Sequence, residues 1–162
     1  MNWLTTLWAM ISGASLSIAA VYLVVWLKTR ESPAFLMFAL LTASISLVAA
    51  AELWMLHATT AAEFATALRW FHVPVFAAIA SCVGLVHYQL RSPRLWIGQM
   101  AIGLRAVSLV LNFTTGVNLN YLEISELGQF EILGERASYA IGVPSPWMLP
   151  VSYTHLRAHE TF

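Results

Sequence analysis

The chain has 162 residues, of which 59% are hydrophobic and only 10% are charged, and its formal net charge is zero. Soluble domains usually carry about 25% charged residues, and a chain without net charge has no basic field to hold nucleic acid. The single cysteine, Cys82, excludes an internal disulfide bond and a cysteine-based zinc site. We therefore expect an integral membrane protein without a catalytic domain, a metal, a cofactor or a nucleic-acid partner.

Four apolar segments are long enough to cross the hydrocarbon core of a bilayer, which takes about 20 residues of helix. The predicted spans are residues 4–27, 34–56, 65–90 and 95–113. Six of the seven tryptophans lie within a turn or two of a predicted span end, as is typical of the membrane interface. The sequence predicts an all-α integral membrane fold, a four-helix transmembrane bundle, with the start of a fifth span at Trp147.

The short loops predict the orientation of these spans, because lysine and arginine concentrate in cytoplasmic loops. The first loop contains Lys28 and Arg30, the third contains Arg91 and Arg94, and the second contains neither residue type. The fourth loop, residues 114–146, is rich in glutamate. We expect the first and third loops in the cytoplasm and the N-terminus outside, in a multi-pass protein of the bacterial cytoplasmic (inner) membrane.

The fourth loop also shows patterns typical of β-strands. Three stretches are compatible with strands, namely Asn118–Glu126, Phe130–Leu133 and Ser138–Val143, with Gly128 and Gly134 as candidate turn residues. The first of them alternates roughly between polar and apolar residues, which is the period of a strand. We expect a small β-hairpin, or a pair of short strands, that caps the helices on the outer side.

Four ionisable residues lie inside predicted spans, where such groups are costly and mark candidate functional sites. Glu52 lies near the outer end of the second span, Arg69 and His72 near the outer end of the third, and Arg105 near the middle of the fourth. Glu52, Arg69 and His72 lie at a similar depth, and the side chain of Arg105 is long enough to extend to that level. These residues predict a polar pocket for a small ligand, and two arginines against one glutamate favour an acidic one. The alternative is an internal salt bridge from Glu52 to Arg69 or Arg105 that only fixes helix packing.

Pro74 lies within the third span, close to Arg69 and His72. A proline inside a helix removes the hydrogen bond to the carbonyl four residues earlier, here that of Trp70. The sequence therefore predicts a kink beside the polar residues.

The last residues do not continue the predicted fifth span. Polar and charged residues appear soon after Trp147, and the run Pro150–Phe162 resembles a translated adapter sequence that ends many unrelated open reading frames. We expect this tail to be artefactual and the natural protein to be longer, so that the chain is a fragment.

Four segments carry a resemblance to a known family. They are Ala51–Trp54, Glu63 with Arg69–Pro74, Leu111–Ile124 and Ile141–Trp147. Together they resemble the N-terminal seven-transmembrane region of bacterial sensor histidine kinases, over residues 4–149. The resemblance implies three further helices, a cytoplasmic PAS and kinase output, a homodimeric parent protein, and a signal received by the outer loops or the membrane pocket.

A fragment of a small-solute transporter or channel is the alternative from another class. Transporters are typically built from inverted repeats with broken helices near the middle of the bilayer. The sequence contains no evident repeat, and Pro74 is the only internal break in a span. The downstream sequence of the parent protein distinguishes the two classes.

Overall fold

The computed structural model describes residues 3–90, 95–132 and 134–146. It contains four helices, α1 (Trp3–Thr29), α2 (Pro33–Leu56), α3 (Ala61–Leu90) and α4 (Leu95–Thr114). All four are long and apolar enough to cross a membrane, and they coincide with the four predicted spans. The chain thus has the architecture of a multi-pass membrane protein. The predicted fifth span and the tail lie outside the described residues.

The turn between α1 and α2 is set by local backbone chemistry. Arg30 has a φ of 53°, a left-handed conformation that ends α1, and its guanidinium lies 4.0 Å from the centre of the Trp26 ring. Ser32 caps α2, because its hydroxyl accepts a 3.3 Å hydrogen bond from the Ala34 N–H. Pro33 then occupies the first turn, where it has no N–H to leave unsatisfied.

α3 begins four residues before the predicted span, and a capping arrangement explains the difference. The Thr60 hydroxyl accepts a 3.2 Å hydrogen bond from the Glu63 N–H. The Glu63 carboxylate in turn accepts a 3.0 Å bond from the Thr59 N–H. These two bonds satisfy backbone donors at the helix start, so that α3 begins before the predicted span.

The four helices form a row in which each helix packs on its neighbour in the chain. α2 packs extensively on both α1 and α3, and α4 packs on α3 over a smaller area. Within the described residues, helices that are not adjacent in the chain make few contacts. The four predicted helices are thus present, and within the predicted bundle they are arranged as a row. A helix that is apolar on every side has no stripe to indicate its partners.

Small and polar residues allow the close approach of α1 and α2. The hydroxyl groups of Ser12 and Ser46 lie 2.9 Å apart and share a hydrogen bond, and Ala39 and Ala49 are buried. At the other end of the pair, the rings of Tyr22 and Phe38 are 4.5 Å apart. Small residues and interhelical hydrogen bonds of this kind drive helix association in lipid.

The segment after α4 forms an antiparallel hairpin of β1 (Tyr121–Ile132) and β2 (Glu135–Pro144). The tight turn includes Gly134, whose φ of 83° favours glycine. The prediction of a hairpin was correct, and so was the turn at Gly134. The prediction of a turn at Gly128 was wrong, because this residue lies within β1 opposite Tyr139, whose ring fills the space above it.

The hairpin packs on one end of α2 and α3, and we refer to this as the hairpin end of the helices. Its core contains the buried side chains of Met55, Ala58, Phe64, Ala67 and Leu68, against which Tyr121, Ile124, Leu127 and Ala140 pack. The Ser138 hydroxyl donates a 2.9 Å hydrogen bond to the Ala58 carbonyl. The Leu4 N–H donates a 3.0 Å bond to the Glu135 carboxylate. The hairpin is thus attached to α1, to the α2–α3 turn and to α3.

Candidate functional site

Two of the predicted site residues meet between α3 and α4. The Nη2 of Arg105 lies 3.1 Å from the Nδ1 of His72, and His72 is buried, with 7% of its surface exposed. A guanidinium group only donates hydrogen bonds, so Nδ1 accepts this one and the ring is neutral with its proton on Nε2. That Nε2–H group is buried.

Arg69 lies almost one turn before His72 on α3 and faces the loop that follows α4. Its Nη2 donates a 2.8 Å hydrogen bond to the carbonyl of Gly116, whose φ is 55°. The Nε of Arg69 is buried and has no partner in the part of the chain that the structure describes. The arginine thus connects α3 to the start of the loop.

Asn112, which the sequence analysis did not identify, completes this connection. Its side-chain amide donates a 2.9 Å hydrogen bond to the main-chain carbonyl of Arg69. Its carbonyl oxygen accepts a 3.0 Å bond from the Leu119 N–H. Asn112 is fully buried, so one side chain joins α3, α4 and the loop in an interior where an unpaired polar group would be costly.

Asn118 organises the end of the loop, just before β1. Its side-chain oxygen accepts hydrogen bonds of 2.9 Å from the Asn120 N–H and 2.8 Å from the Tyr121 N–H. Asn118 is 1% exposed, and its Nδ2 group has no partner within residues 3–90, 95–132 and 134–146. The side chain of Asn120 lies beside the imidazole of His72. We had predicted Asn118 as the first residue of a strand, but its side chain forms an Asx turn and the strand begins three residues later.

We refer to Arg69, His72, Arg105, Asn112, Asn118 and Asn120 as the polar network. Among the described residues, Arg69 bonds to a carbonyl and Arg105 to an imidazole, and neither pairs with a carboxylate. Among the described residues, two buried nitrogens of the network have no hydrogen-bond partner, the Nε of Arg69 and the Nδ2 of Asn118. Both are hydrogen-bond donors. The network therefore combines positive charge with unsatisfied donors.

Glu52 is separate from the polar network. It lies half-buried on α2, and within the described residues it forms no ion pair with Arg69 or Arg105. The predicted alternative of a packing salt bridge is thus absent from this part of the chain. Arg105 is out of reach because α2 and α4 make few contacts with each other. Arg69 lies on the neighbouring α3, but its guanidinium group bonds instead to the loop after α4.

A cavity of about 460 Å³ opens beside Arg69. It is lined by Ala62, Ala65, Thr66, Arg69, Trp70, Gly116 and Val117. Arg69 is the only charged residue among the described residues that line it, and we refer to the space as the Arg69 cavity. No group of three histidine, cysteine, aspartate or glutamate residues in the described ranges is placed to bind a metal ion. The chemistry that the cavity offers is therefore the recognition of a negative charge.

None of the protein-family models, curated proteins or solved structures that were compared with this chain matches it. The resemblance to the membrane region of sensor histidine kinases therefore stays a prediction from local sequence segments. The geometry defines a row of four apolar helices, a hairpin attached to one end, and a donor-rich polar network between α3, α4 and the loop.

Proposed function

We propose that this chain is part of the membrane signal-input region of a bacterial sensor histidine kinase. The observation that supports this proposal is the polar network, which links the loop before the hairpin to two helices. A signal received at the hairpin end would act on Gly116 and Leu119, and these residues bond directly to Arg69 on α3 and Asn112 on α4.

The proposed signal is a shift of α4 relative to α3. α4 packs less extensively on α3 than α2 does. The hydrogen bonds that connect α4 to α3 are those of Arg105 and Asn112. A ligand changes such an equilibrium only by binding one arrangement better than the other. A negatively charged ligand that competes for the network donors would weaken these ties and favour displacement of α4, in the manner of known helix shifts.

The orientation predicted from the loop charges agrees with this role. An outside N-terminus followed by seven spans would place the output domain in the cytoplasm, where ATP is available. The hairpin and the polar network would then face the outside, and the lipid bilayer would surround the helices. By the same resemblance, the parent protein would work as a homodimer.

Transport of a small solute is the second candidate function, and the helices give it less support. Transporter sites are typically built from interrupted helices at the middle of the bilayer. α3 passes through Pro74 without interruption, and the polar network lies towards the hairpin end. A chain that couples its outer side to its helices fits signal input better than it fits a permeation path.

The first test of the proposal is the gene itself. We would sequence the region that encodes Trp147–Phe162 from independent genomic DNA. A reading frame that continues into further apolar spans and then a PAS or kinase domain would support the proposal. A frame that continues into more hydrophobic repeats would favour transport, and a true stop codon after Phe162 would remove the kinase from the proposal.

The second test is functional and uses the longer protein. Autophosphorylation would be measured in nanodiscs for the wild type and for Arg105→Gln, with Arg30→Gln as a matched control at the other end of the helices. We expect Arg105→Gln to change the basal rate of phosphorylation, because it weakens the tie between α4 and His72. Equal rates in all three proteins would contradict the proposed coupling.

A further inference from the structure

A second space of a different character lies beside the Arg69 cavity. An apolar groove of about 330 Å³ lies between α2 and α3 and is lined by Leu47, Ala50, Ala51, Trp54, Trp70, Val73 and Pro74. Both volumes fall in the range of known ligand pockets, about 300–1,000 Å³. Trp70 lines both spaces, and its ring makes an edge contact with Phe113 at 5.5 Å. The two spaces are therefore neighbours that share one indole wall.

The order of the two spaces along the helices follows from their lining residues. The Arg69 cavity is lined by the first part of α3, from Ala62 to Trp70, together with the loop after α4. The groove is lined by α3 from Trp70 to Pro74 and by α2 from Trp54 back to Leu47. Because α2 and α3 run in opposite directions, both of these stretches lead away from the hairpin end. A cation thus lies at the helix ends, and the apolar groove lies further towards the middle of the spans.

We propose that the Arg69 cavity and the groove together bind a single-chain amphiphile with a monoanionic headgroup, namely a fatty acid. The carboxylate lies against Arg69 and the acyl chain lies along the groove, past Trp70 and beside Pro74. The inference rests on the proposed function only in that it names the ligand for the signal. Binding itself requires no signalling.

The charge of the headgroup follows from what the cavity leaves unsatisfied. Arg69 is its only charged lining residue and has no carboxylate partner among the described residues. The Thr66 hydroxyl is already bonded to the Ala62 carbonyl, and the Gly116 carbonyl already accepts from Arg69. One positive charge without a partner matches one negative charge, and a guanidinium group binds carboxylates well.

The single acyl chain follows from the shape of the groove. Ala50 and Ala51 provide only methyl groups on the α2 side, which leaves room between the bulky rings of Trp54 and Trp70. The lining side chains are all apolar, so the groove offers nothing to a polar solute. A free small anion would fill the Arg69 cavity but would leave the groove empty.

The test uses the full chain in phosphatidylcholine nanodiscs, with bromododecanoic acid as the probe. Bromine quenches nearby tryptophans, and Trp54 and Trp70 both line the groove. Bromododecanol serves as the matched ligand, because it has the same chain without the charge. We expect saturable quenching by the acid, at mildly alkaline pH, at a membrane mole fraction about tenfold below that needed for the alcohol, as one charge-assisted hydrogen bond predicts.

Variants separate the headgroup from the chain. In Arg69→Gln, the affinity for the acid should fall to the affinity for the alcohol. Arg69→Lys should keep part of the preference for the acid. Arg30→Gln, at the opposite end of the helices, should leave both affinities unchanged. Ala51→Phe fills the groove and should abolish saturable quenching by both probes. This last variant keeps the inference testable if Arg69→Gln does not fold. A double Trp54→Phe, Trp70→Phe variant should lose the saturable part of the signal.

Several results would overturn the inference. They are equal affinities for acid and alcohol, an unchanged acid preference in folded Arg69→Gln, or saturable quenching that survives in the double tryptophan variant. Displacement of the probe by phosphatidylglycerol in the nanodisc would assign the site to a two-chain phospholipid instead. If the fatty acid binds as expected but does not change autophosphorylation of the longer protein, the signalling proposal fails and the binding site stands.

Discussion

The side-chain amide of Asn112 donates a 2.9 Å hydrogen bond to the main-chain carbonyl of Arg69. This bond joins the end of α4 to α3 at the level of the Arg69 cavity. The same asparagine accepts a hydrogen bond from the Leu119 N–H, so that one buried side chain holds two helices and the loop before the hairpin. Its neighbours on α3 and in the loop are the residues through which we propose that a signal passes.

Replacement of Asn112 should therefore destabilise the fold at the hairpin end. We expect Asn112→Ala to lower the free energy of unfolding by about 2 kcal/mol, because the half-buried Leu119 N–H loses its acceptor and a buried side chain is truncated. Ser108→Ala is the matched control, since the Ser108 hydroxyl bonds only to the Leu104 carbonyl of its own helix. Its effect should stay within about 0.5 kcal/mol. Equal denaturant unfolding curves for both variants in detergent micelles would contradict the role assigned to Asn112.

The pair of His72 and Arg105 makes a prediction about coupling. The two side chains share a 3.1 Å hydrogen bond in a half-buried setting, so their substitutions should not be additive. In a double-mutant cycle with His72→Phe and Arg105→Gln, measured by unfolding, we expect a coupling energy of about 1 kcal/mol. Additivity to within about 0.3 kcal/mol would show that the contact contributes nothing to stability.

The hairpin register makes a third prediction, at Gly142. A side chain there would collide with the backbone of β1, at the carbonyl of Glu123 and the Cα of Ile124, where the pairing is irregular. Gly142→Ala should therefore open the hairpin, seen as faster hydrogen exchange of the strand amides. Gly103→Ala is the control, because open space surrounds Gly103 on α4 and alanine favours a helix by about 1 kcal/mol. Protection of the strand amides that is unchanged in Gly142→Ala would contradict this register.

The helices were predictable from sequence because a membrane span has a required length and apolarity. Their packing was not predictable, since α1 and α4 are apolar on most sides and offer no stripe that specifies a partner. The hairpin was predictable from its alternation and from Gly134, whose backbone conformation favours glycine. The prediction of a turn at Gly128 was wrong because a glycine can also occur within a strand, where it leaves space for a ring on the opposite strand. Here that ring belongs to Tyr139.

The candidate site was predictable only in part, for a similar reason. Arg69 and His72 are three residues apart, which fixes them near one face of a helix, and the depth of Arg105 brought it to His72. Depth alone could not place Glu52, because the rotation of α2 and its distance from α4 do not follow from the sequence pattern. Asn112 was not predicted because only ionisable residues inside the spans were considered as candidates. A neutral amide that is buried at a span end can also join two helices and a loop through its hydrogen bonds.

The orientation of the chain can be tested by cysteine labelling of intact cells in a Cys82→Ala background, since Cys82 is exposed. Glu31 in the α1–α2 turn and Thr59 in the α2–α3 turn are both exposed and lie at opposite ends of α2. We expect a membrane-impermeant maleimide to label Thr59→Cys in intact cells and Glu31→Cys only after lysis, because Lys28 and Arg30 hold the first loop in the cytoplasm. Labelling of Glu31→Cys from outside would reverse the topology, place the hairpin and the Arg69 cavity in the cytoplasm, and contradict the proposal that they receive an external signal.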